Sequence, residues 1–533
     1  MSTCVALSAF LALPSLLPGD DPAVQLERLI GEGDPLPGFG FVRFLYDFRA
    51  TDDGDWFVRA SVEAPDGEQL WMLLENGAPV WIEHDPVPQP AGATVQSGNA
   101  WDVGSDGSVA TVFKLNGTAD SFDDHILLAG DTVLAQESLP VGYAGATPGS
   151  TWEELNRVRR NGSNQVVVTT EVDDPTATSQ WTDTMVRFDL APDGTLLSEN
   201  LLLRRGSTVV GAAETISWIS ELEFRLNDMG DVLVGVALDS INEINDTVLL
   251  NDVVLAREGD PSPVPGATWS GVPTMLDLNE RGDTAFYWGL FSGTFPTNSA
   301  LVRNLQIFVA PGDVLAATAP FGIDRVTAAD LNNRGDLVWQ GKWDPSSSLS
   351  WHGEALFLNT KPLVVEDVTS FGGKLLEDLT GAVTSDDGRY VIFMAETQFQ
   401  VDSLFRIDLG PWSELDLGEL AGSGDAPSLT GIGSLIAGKP ITLRVEGGTP
   451  GTDAVLVLGL SQVNLPALGT TLVPFPTVIA DGLTLDADGA AELQLTWPAG
   501  LASGAKIYAQ AFVPDAGAPF GFAASDGIEG QLP

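Results

Sequence analysis

The polar and apolar positions of this chain repeat with a period of about 53 residues. A turn of the form Asp/Asn-x-x-Gly is followed at once by a short apolar run, as in LNERGDTAF (residues 278–286). Glycine suits such a turn because it lacks a Cβ and tolerates positive φ, and an Asp or Asn side chain can bond the backbone ahead of it. Seven glycines mark the repeated turn: Gly54, Gly107, Gly162, Gly230, Gly282, Gly335 and Gly388.

Each repeat predicts four short antiparallel strands. About 20 residues after the turn come two further strand signals in succession, such as TVLLND (247–252) and VVLAREGD (253–260). Helical periodicity is nearly absent, and the apolar runs are rich in Val, Leu, Trp and Phe. Four strands in a repeat of 40–55 residues are typical of a propeller blade. Seven turns therefore predict an all-β, seven-bladed β-propeller over residues 21–410.

The two ends of the repeat region predict how the ring closes. The last repeat contains the strand SLFRIDL (403–409) but no strand directly after it, whereas the first repeat is preceded by an extra strand at residues 24–30. We expect the N-terminal strand 24–30 to complete the seventh blade, because closure removes edge strands that would template aggregation. An open β-solenoid or two β-sandwiches are the alternatives that the same pattern allows.

The repeat ends after residue 410, and the pattern that follows is different. Residues 411–427 read as a linker, and residues 428–533 hold seven or eight strand signals, among them ITLRVEGG (441–448) and KIYAQAFV (506–513). Turn signals recur every 8–15 residues there, which is the spacing of a small β-sandwich. We therefore predict a β-sandwich as the C-terminal domain.

Two stretches of the repeat region resemble known families. LNERGDTAF (278–286) resembles the NxxGxxAF tandem repeat of secreted bacterial proteins, and TSDDGRYVIF (384–393) with SLFRIDL is similar to the repeat of TolB-type propellers. This resemblance covers about residues 24–409. It implies the fold but does not indicate an activity. Residues 412–533 look like a C-terminal domain recurrent in secreted proteins of environmental bacteria, which implies an attachment or sorting accessory.

The N-terminal segment predicts export. Residues 4–17 form an apolar run that is followed by a Pro-Gly-Asp-Asp break, and the run is too short to span a bilayer. We expect a signal peptide over residues 1–20 and a secreted or cell-surface protein. A misplaced start or a first β-strand would also account for the run, since no Lys or Arg precedes it.

The charge balance excludes several classes of partner. The chain has 73 acidic and 25 basic residues, for a formal net charge of −48. Such a chain repels phosphates, which argues against nucleic acid and anionic lipid surfaces as partners. Its single cysteine, Cys4, excludes a disulfide framework. We expect a monomer without a transmembrane segment, whose partner is an extracellular ligand, glycan or protein.

Candidate catalytic chemistry is sparse in the sequence. The only histidines, His84, His125 and His352, fall in different repeats, so we expect surface or turn residues rather than metal ligands. Motifs for zinc proteases, serine hydrolases and phosphate-binding loops are missing from the sequence. We therefore predict no catalytic, cofactor-binding or metal-ligating residue and no cofactor, with Ca²⁺ left open.

Acidic pairs and tryptophans leave alternatives open. The pairs could serve the backbone of turns, bind Ca²⁺ or act as the acid and base of a glycosidase, and the turn role is favoured because most of them lie in hairpins. Trp56, Trp288 and Trp339 occupy related places after the turns and predict packing between blades, while other tryptophans could stack on sugars. The pairs are Asp52/Asp53, Asp123/Asp124, Asp173/Asp174 and Asp386/Asp387.

Two functions follow from these patterns. The first is a non-catalytic secreted or surface repeat protein that binds a ligand or partner through the propeller loops, and on this interpretation the chain is not an enzyme. The alternative is a secreted carbohydrate-active hydrolase or lyase that uses carboxylates at the propeller mouth.

Overall fold

The protein forms a seven-bladed β-propeller followed by a β-sandwich in a computed structural model. The two compact units are Leu26–Ile407 and the chain from Asp408 onward. The structure describes residues 26–532 with the exception of 119–123, 177–180, 240–245, 293–295, 316, 344–352, 398–400, 416, 425, 434, 436–437, 488, 499 and 502–504. The expected signal peptide, Cys4, Asp123 and His352 lie outside the described residues.

The strands of each blade follow one another from the channel outward and pair antiparallel. Strand β1 is Leu26–Gly31. Blade 1 is β2 (Pro35–Leu36), β3 (Gly40–Ala50), β4 (Trp56–Glu63), β5 (Gln69–Glu75) and β6 (Ala78–Ile82). Blade 2 is β7 (Thr94–Val103), β8 (Val109–Asn116), β9 (His125–Ala129) and β10 (Thr132–Gln136). Blade 3 is β11 (Thr151–Arg160), β12 (Gln165–Asp173), β13 (Trp181–Leu190) and β14 (Leu196–Arg204).

The remaining four blades of the described chain have the same order. Blade 4 is β15 (Ile216–Leu226), β16 (Val232–Leu238), β17 (Asp246–Leu250) and β18 (Val253–Arg257). Blade 5 is β19 (Thr268–Leu278), β20 (Thr284–Phe291), β21 (Pro296–Arg303) and β22 (Gln306–Val309). Blade 6 is β23 (Arg325–Leu331), β24 (Leu337–Trp343), β25 (Gly353–Leu358) and β26 (Lys361–Val365). Blade 7 is β27 (Ser370–Phe371), β28 (Lys374–Thr384), β29 (Tyr390–Thr397) and β30 (Val401–Asp408), and β1 extends it.

The second long strand of each blade is apolar on both faces because it packs between two neighbouring blades. Strand β16, with the sequence VLVGVAL, is buried at every position but one. In blade 5, Trp288 is fully buried and stacks on Trp269 at 5.2 Å between ring centroids. Trp56 and Trp339 are buried in the same part of their own blades. Burial of these large side chains contributes to the apolar contact between blades.

The first and last strands of the propeller pair with each other. Strand β1 lies antiparallel to β30, with Leu26 opposite Ile407 and Gly31 opposite Ser403. The turn of blade 7 also reaches blade 1, because the Asp387 N–H donates to Asp52 Oδ1 at 2.7 Å. The ring is therefore closed by backbone pairing within one blade and by side-chain contact between blades 7 and 1.

The second unit is a small β-sandwich. Its apolar core includes Leu443, Leu456 and Ala509, all fully buried. Strand β31 begins at Trp412 and pairs with the C-terminal strand, so the segment 411–427, which we expected to be a linker, contributes a strand to this fold. The strands are β31 (Trp412–Glu414), β32 (Ser428–Ile432), β33 (Pro440–Glu446), β34 (Asp453–Gly459), β35 (Gln462–Ala467), β36 (Thr470–Pro474), β37 (Val478–Thr484), β38 (Ala491–Thr496), β39 (Lys506–Pro514), β40 (Phe522–Ala524) and β41 (Ile528–Gln531), with a 3₁₀ turn at Pro519–Gly521.

The described residues contain no helix with the length and hydrophobicity that crossing a membrane requires.

Candidate functional site

The repeated turns join the innermost strand of each blade to the next strand. Six of the seven predicted glycines have positive φ, between 70° at Gly388 and 89° at Gly335. Gly162 differs, because in blade 3 the left-handed residue is Asn164, at φ 60°. A Cβ at Gly162 would lie 2.2 Å from Ser105 Oγ and 3.1 Å from Asp228 Oδ2, so this glycine makes room for side chains of neighbouring blades instead of shaping the turn.

The first residue of the turn connects neighbouring blades through its amide. The Asn227 Oδ1 accepts the Asp231 N–H of its own turn at 2.8 Å, while its Nδ2 donates to the carbonyl of Asn279 in the next blade at 3.0 Å. Asn161 and Asn279 donate to the next blade in the same way, at 2.7 and 2.9 Å. These asparagines are buried, so their hydrogen bonds fix the relative positions of the turns around the ring.

A ring of charged side chains lies two residues before the turn in six of the seven blades. Three arginines and three aspartates occupy this position in six blades, and their side chains line a cavity of about 100 Å³ in the central channel. They are Arg49, Asp102, Arg159, Arg225, Asp277 and Asp330. We call this set the charged ring. In the sequence, the signal for this ring is the charged residue that recurs two positions before the turn in six of the seven repeats.

The arginines and aspartates of the charged ring are paired. Arg49 Nε donates to Asp102 Oδ1 at 2.8 Å, and Arg225 Nε donates to Asp277 Oδ1 at 2.9 Å. Burial alone would raise the pKa of Asp102, but Arg159 and Arg49 outweigh it and lower that pKa. Burial beside Arg225 lowers the pKa of Arg159 to about 9. The ring therefore combines buried charges of both signs at hydrogen-bond distance.

Asp277 and Asp330 form a carboxyl pair with unequal surroundings. Asp277 accepts hydrogen bonds from Arg225 Nε and from the backbone N–H groups of Leu278 and Leu331. Asp330 Oδ2 accepts the Thr384 N–H at 2.7 Å, while its Oδ1 lies 3.5 Å from the Arg225 guanidinium. Burial and the neighbouring Asp277 raise the pKa of Asp330 to about 7. Asp330 therefore keeps its proton at pH values where an ordinary carboxyl has lost it.

The turn side of the channel is acidic. The residue directly after the first turn position is Asp52, Asp228, Glu280 and Asp386 in blades 1, 4, 5 and 7, and we call these four residues the acidic mouth. Burial, followed by the charges of nearby carboxylates, raises the pKa of Asp52 to about 6 and also raises the pKa of Glu280. The acidic mouth thus brings together residues from four repeats that are far apart in sequence.

Asp386 is the most perturbed carboxyl of the acidic mouth. It is exposed to solvent and lines the cavity. The surrounding protein removes much of its hydration and raises its pKa well above the usual range, and the charges of Asp52 and Asp228 raise it further. A carboxyl that water can reach and whose pKa is raised above its usual range keeps its proton to a higher pH than an ordinary carboxyl and can donate it to a bound molecule.

The other predicted candidates lie away from the channel. His84 is half exposed at the end of blade 1 and lies 3.2 Å from one carboxylate, that of Glu68. His125, at the start of β9, lies within 2.9 Å of both Asp124 and Glu137. Burial alone would lower the pKa of His125, but the adjacent carboxylates raise it.

Members of the four acidic pairs lie in different parts of the structure. Asp52 and Asp386 lie in the acidic mouth, and Asp123 is outside the described residues. Asp174 is a turn residue that accepts the Thr176 N–H at 2.9 Å and contacts Arg204, and these hydrogen bonds lower its pKa to about 2. The turn interpretation therefore fits Asp174, whereas Asp386 lines the cavity and Asp52 accepts the Asp387 N–H of the neighbouring blade.

Comparison with known proteins gives matches to solved structures alone. The sequence matches no family model and no curated protein, so the resemblance to NxxGxxAF and TolB-type repeats stays a prediction. The chain is similar to an α-L-arabinanase of Penicillium chrysogenum, with 11% identity, a TM-score of 0.28, and 72% of this chain and 98% of that chain covered. It is also similar to a glycoside hydrolase family 32 protein of Bifidobacterium adolescentis, with 12% identity, a TM-score of 0.21 and coverage of 90% and 87%.

A third match is prolyl oligopeptidase B of Galerina marginata, with 10% identity, a TM-score of 0.34, and 77% of this chain and 56% of that chain covered. Named hydrolases are thus among the structures that resemble this chain. This finding contradicts our expectation that the chain is not an enzyme.

Proposed function

We propose that the chain is a carbohydrate-active hydrolase that uses carboxyl groups of the acidic mouth. One observation carries the proposal: Asp386 lines the cavity, is exposed to solvent and has a pKa raised well above the usual range. Hydrolysis of a glycosidic bond needs one carboxyl that is protonated at working pH and a second that is ionised. The raised pKa of Asp386 favours its protonated form, and in this proposal Asp386 acts as the general acid.

Asp228 takes the role of the second carboxyl. Its Oδ1 accepts the Gly162 N–H at 2.6 Å and its Oδ2 accepts the Ser105 hydroxyl at 3.1 Å, so blades 2 and 3 hold the carboxylate in place. Asp228 lines the same cavity as Asp386, and its charge contributes to the raised pKa of Asp386. A carboxylate that is fixed by donors and lies near a protonated carboxyl is suited to activate a water molecule.

The size of the cavity defines where the substrate binds. About 100 Å³ has room for about three water molecules, since a water occupies about 30 Å³ in the liquid. The sugar therefore binds at the rim of the acidic mouth, and the cavity supplies the attacking water. Attack by an activated water in a single displacement inverts the anomeric configuration, so the first product has the opposite configuration to the substrate.

Asp386→Asn tests the proposal. The purified full chain is assayed against aryl glycosides and polysaccharides from pH 4 to 8, with NMR of the first product to give its configuration. We expect Asp386→Asn to reduce kcat by about 100-fold or more, because the amide of the variant has no acidic proton to transfer to the leaving group. Activity of the parent should fall as pH rises through the raised pKa of Asp386, because only the protonated form acts as an acid.

Asp66→Asn is the matched control. Asp66 is an exposed turn residue of blade 1 that accepts the Glu68 N–H at 3.2 Å, outside the channel, and its replacement should leave activity unchanged. Hydrolysis that survives in Asp386→Asn, or a parent chain that releases sugar from none of these substrates, would contradict the proposal.

A further inference from the structure

Three side chains at the outer part of blade 2 converge on one point. His125 Nδ1 lies 2.9 Å from Asp124 Oδ1 and 2.8 Å from Glu137 Oε1. One possible ligand atom from each residue lies within 4.8 Å of the others. Asp124 and Glu137 are buried, with 6% and 3% of their surfaces exposed, and His125 is partly accessible. The three atoms are thus an imidazole nitrogen and two carboxylate oxygens in a site that solvent reaches through His125.

The hydrogen bonds of the cluster leave its central atoms without partners. Glu137 uses its other oxygen, Oε2, to accept the backbone N–H of His125 at 2.9 Å, and Lys114 Nζ lies 3.5 Å from Oδ2 of Asp124. Asp124 Oδ1 and His125 Nδ1 are buried, and neither has a hydrogen-bond partner of normal geometry. The two carboxylate oxygens are therefore close to the imidazole nitrogen but are not aligned with a ring N–H, although buried polar atoms usually are.

The other ring nitrogen of His125, Nε2, also has a neighbouring side chain. His125 Nε2 lies 2.7 Å from the side-chain amide nitrogen position of Asn99. The oxygen and nitrogen of an amide are assigned from the hydrogen-bond pattern, so the Asn99 oxygen can equally face Nε2 and accept its proton. That arrangement leaves the lone pair of Nδ1 directed at Asp124 and Glu137. An outer partner of this type commonly fixes the tautomer of a metal-binding histidine.

We propose that Asp124, His125 and Glu137 bind one divalent transition-metal ion of the Zn²⁺ type. A mixed set of imidazole nitrogen and carboxylate oxygen suits such ions, whereas Ca²⁺ takes oxygen ligands alone. The ion would compensate two buried carboxylates and connect β9 to the end of β10. Glu83 holds the corresponding place in blade 1, where its Oε2 accepts the Trp71 N–H at 3.0 Å, so the pairing with His125 is particular to blade 2.

Calorimetry with Zn²⁺ on the full chain tests the site. The background variant is Cys4→Ser/His84→Gln/His352→Gln, in which His125 is the only imidazole and no thiol remains. The protein is treated with chelator and titrated with ZnCl₂ in excess CaCl₂, which occupies weak acidic sites. We expect one Zn²⁺ per chain, with at least about tenfold weaker binding in His125→Gln and in Glu137→Gln and unchanged binding in the control Glu83→Gln.

Nitrogen NMR of His125 in the background variant gives a second measurement, which does not require that His125→Gln or Glu137→Gln fold. We expect Zn²⁺ to shift Nδ1 of His125 and leave Nε2 protonated. Two outcomes would overturn the proposal. One is Zn²⁺ affinity in His125→Gln equal to that of Glu83→Gln. The other is a histidine spectrum that remains that of an imidazolium paired with carboxylates after Zn²⁺ is added.

Discussion

At the scale of single residues, each aspartate of the charged ring connects its own blade to the next one. Asp102 accepts the backbone N–H of Arg160 at 3.0 Å, and Asp330 accepts that of Thr384 at 2.7 Å. Asp277 makes the same contact with Leu331. In every case the donor belongs to the following blade, so a charge that faces the channel also satisfies a backbone group that would otherwise be buried without a partner. Charge in the channel is therefore structural as well as chemical.

The two carboxyls of the Asp277–Asp330 pair should respond oppositely to replacement by asparagine. Asp330→Asn imitates the protonated acid, because its oxygen can still accept the Thr384 N–H and its amide can donate to Asp277. Asp277→Asn instead puts an NH₂ group where Asp277 accepts from Arg225 and two backbone N–H groups. We expect Asp277→Asn to destabilise the propeller by about 3 kcal/mol and Asp330→Asn to be neutral or stabilising at pH 7.

The pH dependence of stability gives the sign of the same effect. Asp330 has a pKa of about 7 in the folded chain and about 4 when unfolded, so the folded state binds more protons between these values. Its contribution to stability is present at low pH and is lost as pH rises from 4 to 7. Urea unfolding across this range should show a smaller decline in Asp330→Asn than in the parent, and an equal decline would refute the assignment.

Only part of this residue-scale network could be predicted from the sequence. The pattern indicated that Asn or Asp would bond the backbone of its own turn, and Asn227 does so. The pattern could not indicate that Asn227 also donates to Asn279, because that contact exists only when two repeats lie side by side in a ring. Asp386 was favoured as a turn residue for the same reason: its raised pKa comes from carboxyls of other blades.

At the scale of strands, β1 is the element that the closed ring depends on. It pairs along β30, and Ile30 is buried in the same apolar cluster as Leu404. Arg406 of β30 donates to Glu27 of β1 at 2.6 Å and, on its other side, to the carbonyl of Gly54 in blade 1 at 2.6 Å. A strand from one end of the propeller sequence thus covers the edge of the last blade.

Deletion of residues 1–31 should destabilise the propeller and expose the edge of β30. We expect a lower Tm and self-association, because an uncovered strand edge pairs with other chains. The matched control is deletion of residues 1–25, which leaves β1 intact and should keep the Tm and the state of association of the parent. Thermal unfolding and light scattering measure both quantities. Equal behaviour of the two deletions would show that β1 is dispensable.

At the scale of the whole molecule, the sequence was sufficient to predict the fold class but not the chemistry. A period of about 53 residues with four strand signals predicted an all-β propeller and a β-sandwich after it, and the fold class is confirmed. The prediction succeeded because each repeat folds from local signals: a turn, an alternating strand and a glycine. The charged ring and the acidic mouth depend on contacts between repeats, which local signals do not encode.

The excess of acidic residues makes a prediction for the whole chain. The formal net charge of −48 means that carboxylates repel one another over most of the surface, which opposes the compact state. Added salt screens exposed charges, while the buried pairs of the charged ring, such as Arg49 with Asp102, are screened much less. We therefore expect the Tm to rise when NaCl is added to a dilute buffer at pH 7.

The shape of this salt response distinguishes screening from general salt effects. The screening length falls from about 30 Å at 0.01 M to about 8 Å at 0.15 M, so most of the increase in Tm should occur below about 0.2 M. At pH 4 many carboxyls are protonated and the increase should be smaller, because less repulsion remains to be screened. Scanning calorimetry at both pH values measures the effect. A Tm that falls with salt at pH 7 would mean that favourable ion pairs, and not repulsion between carboxylates, dominate the electrostatic free energy of this fold.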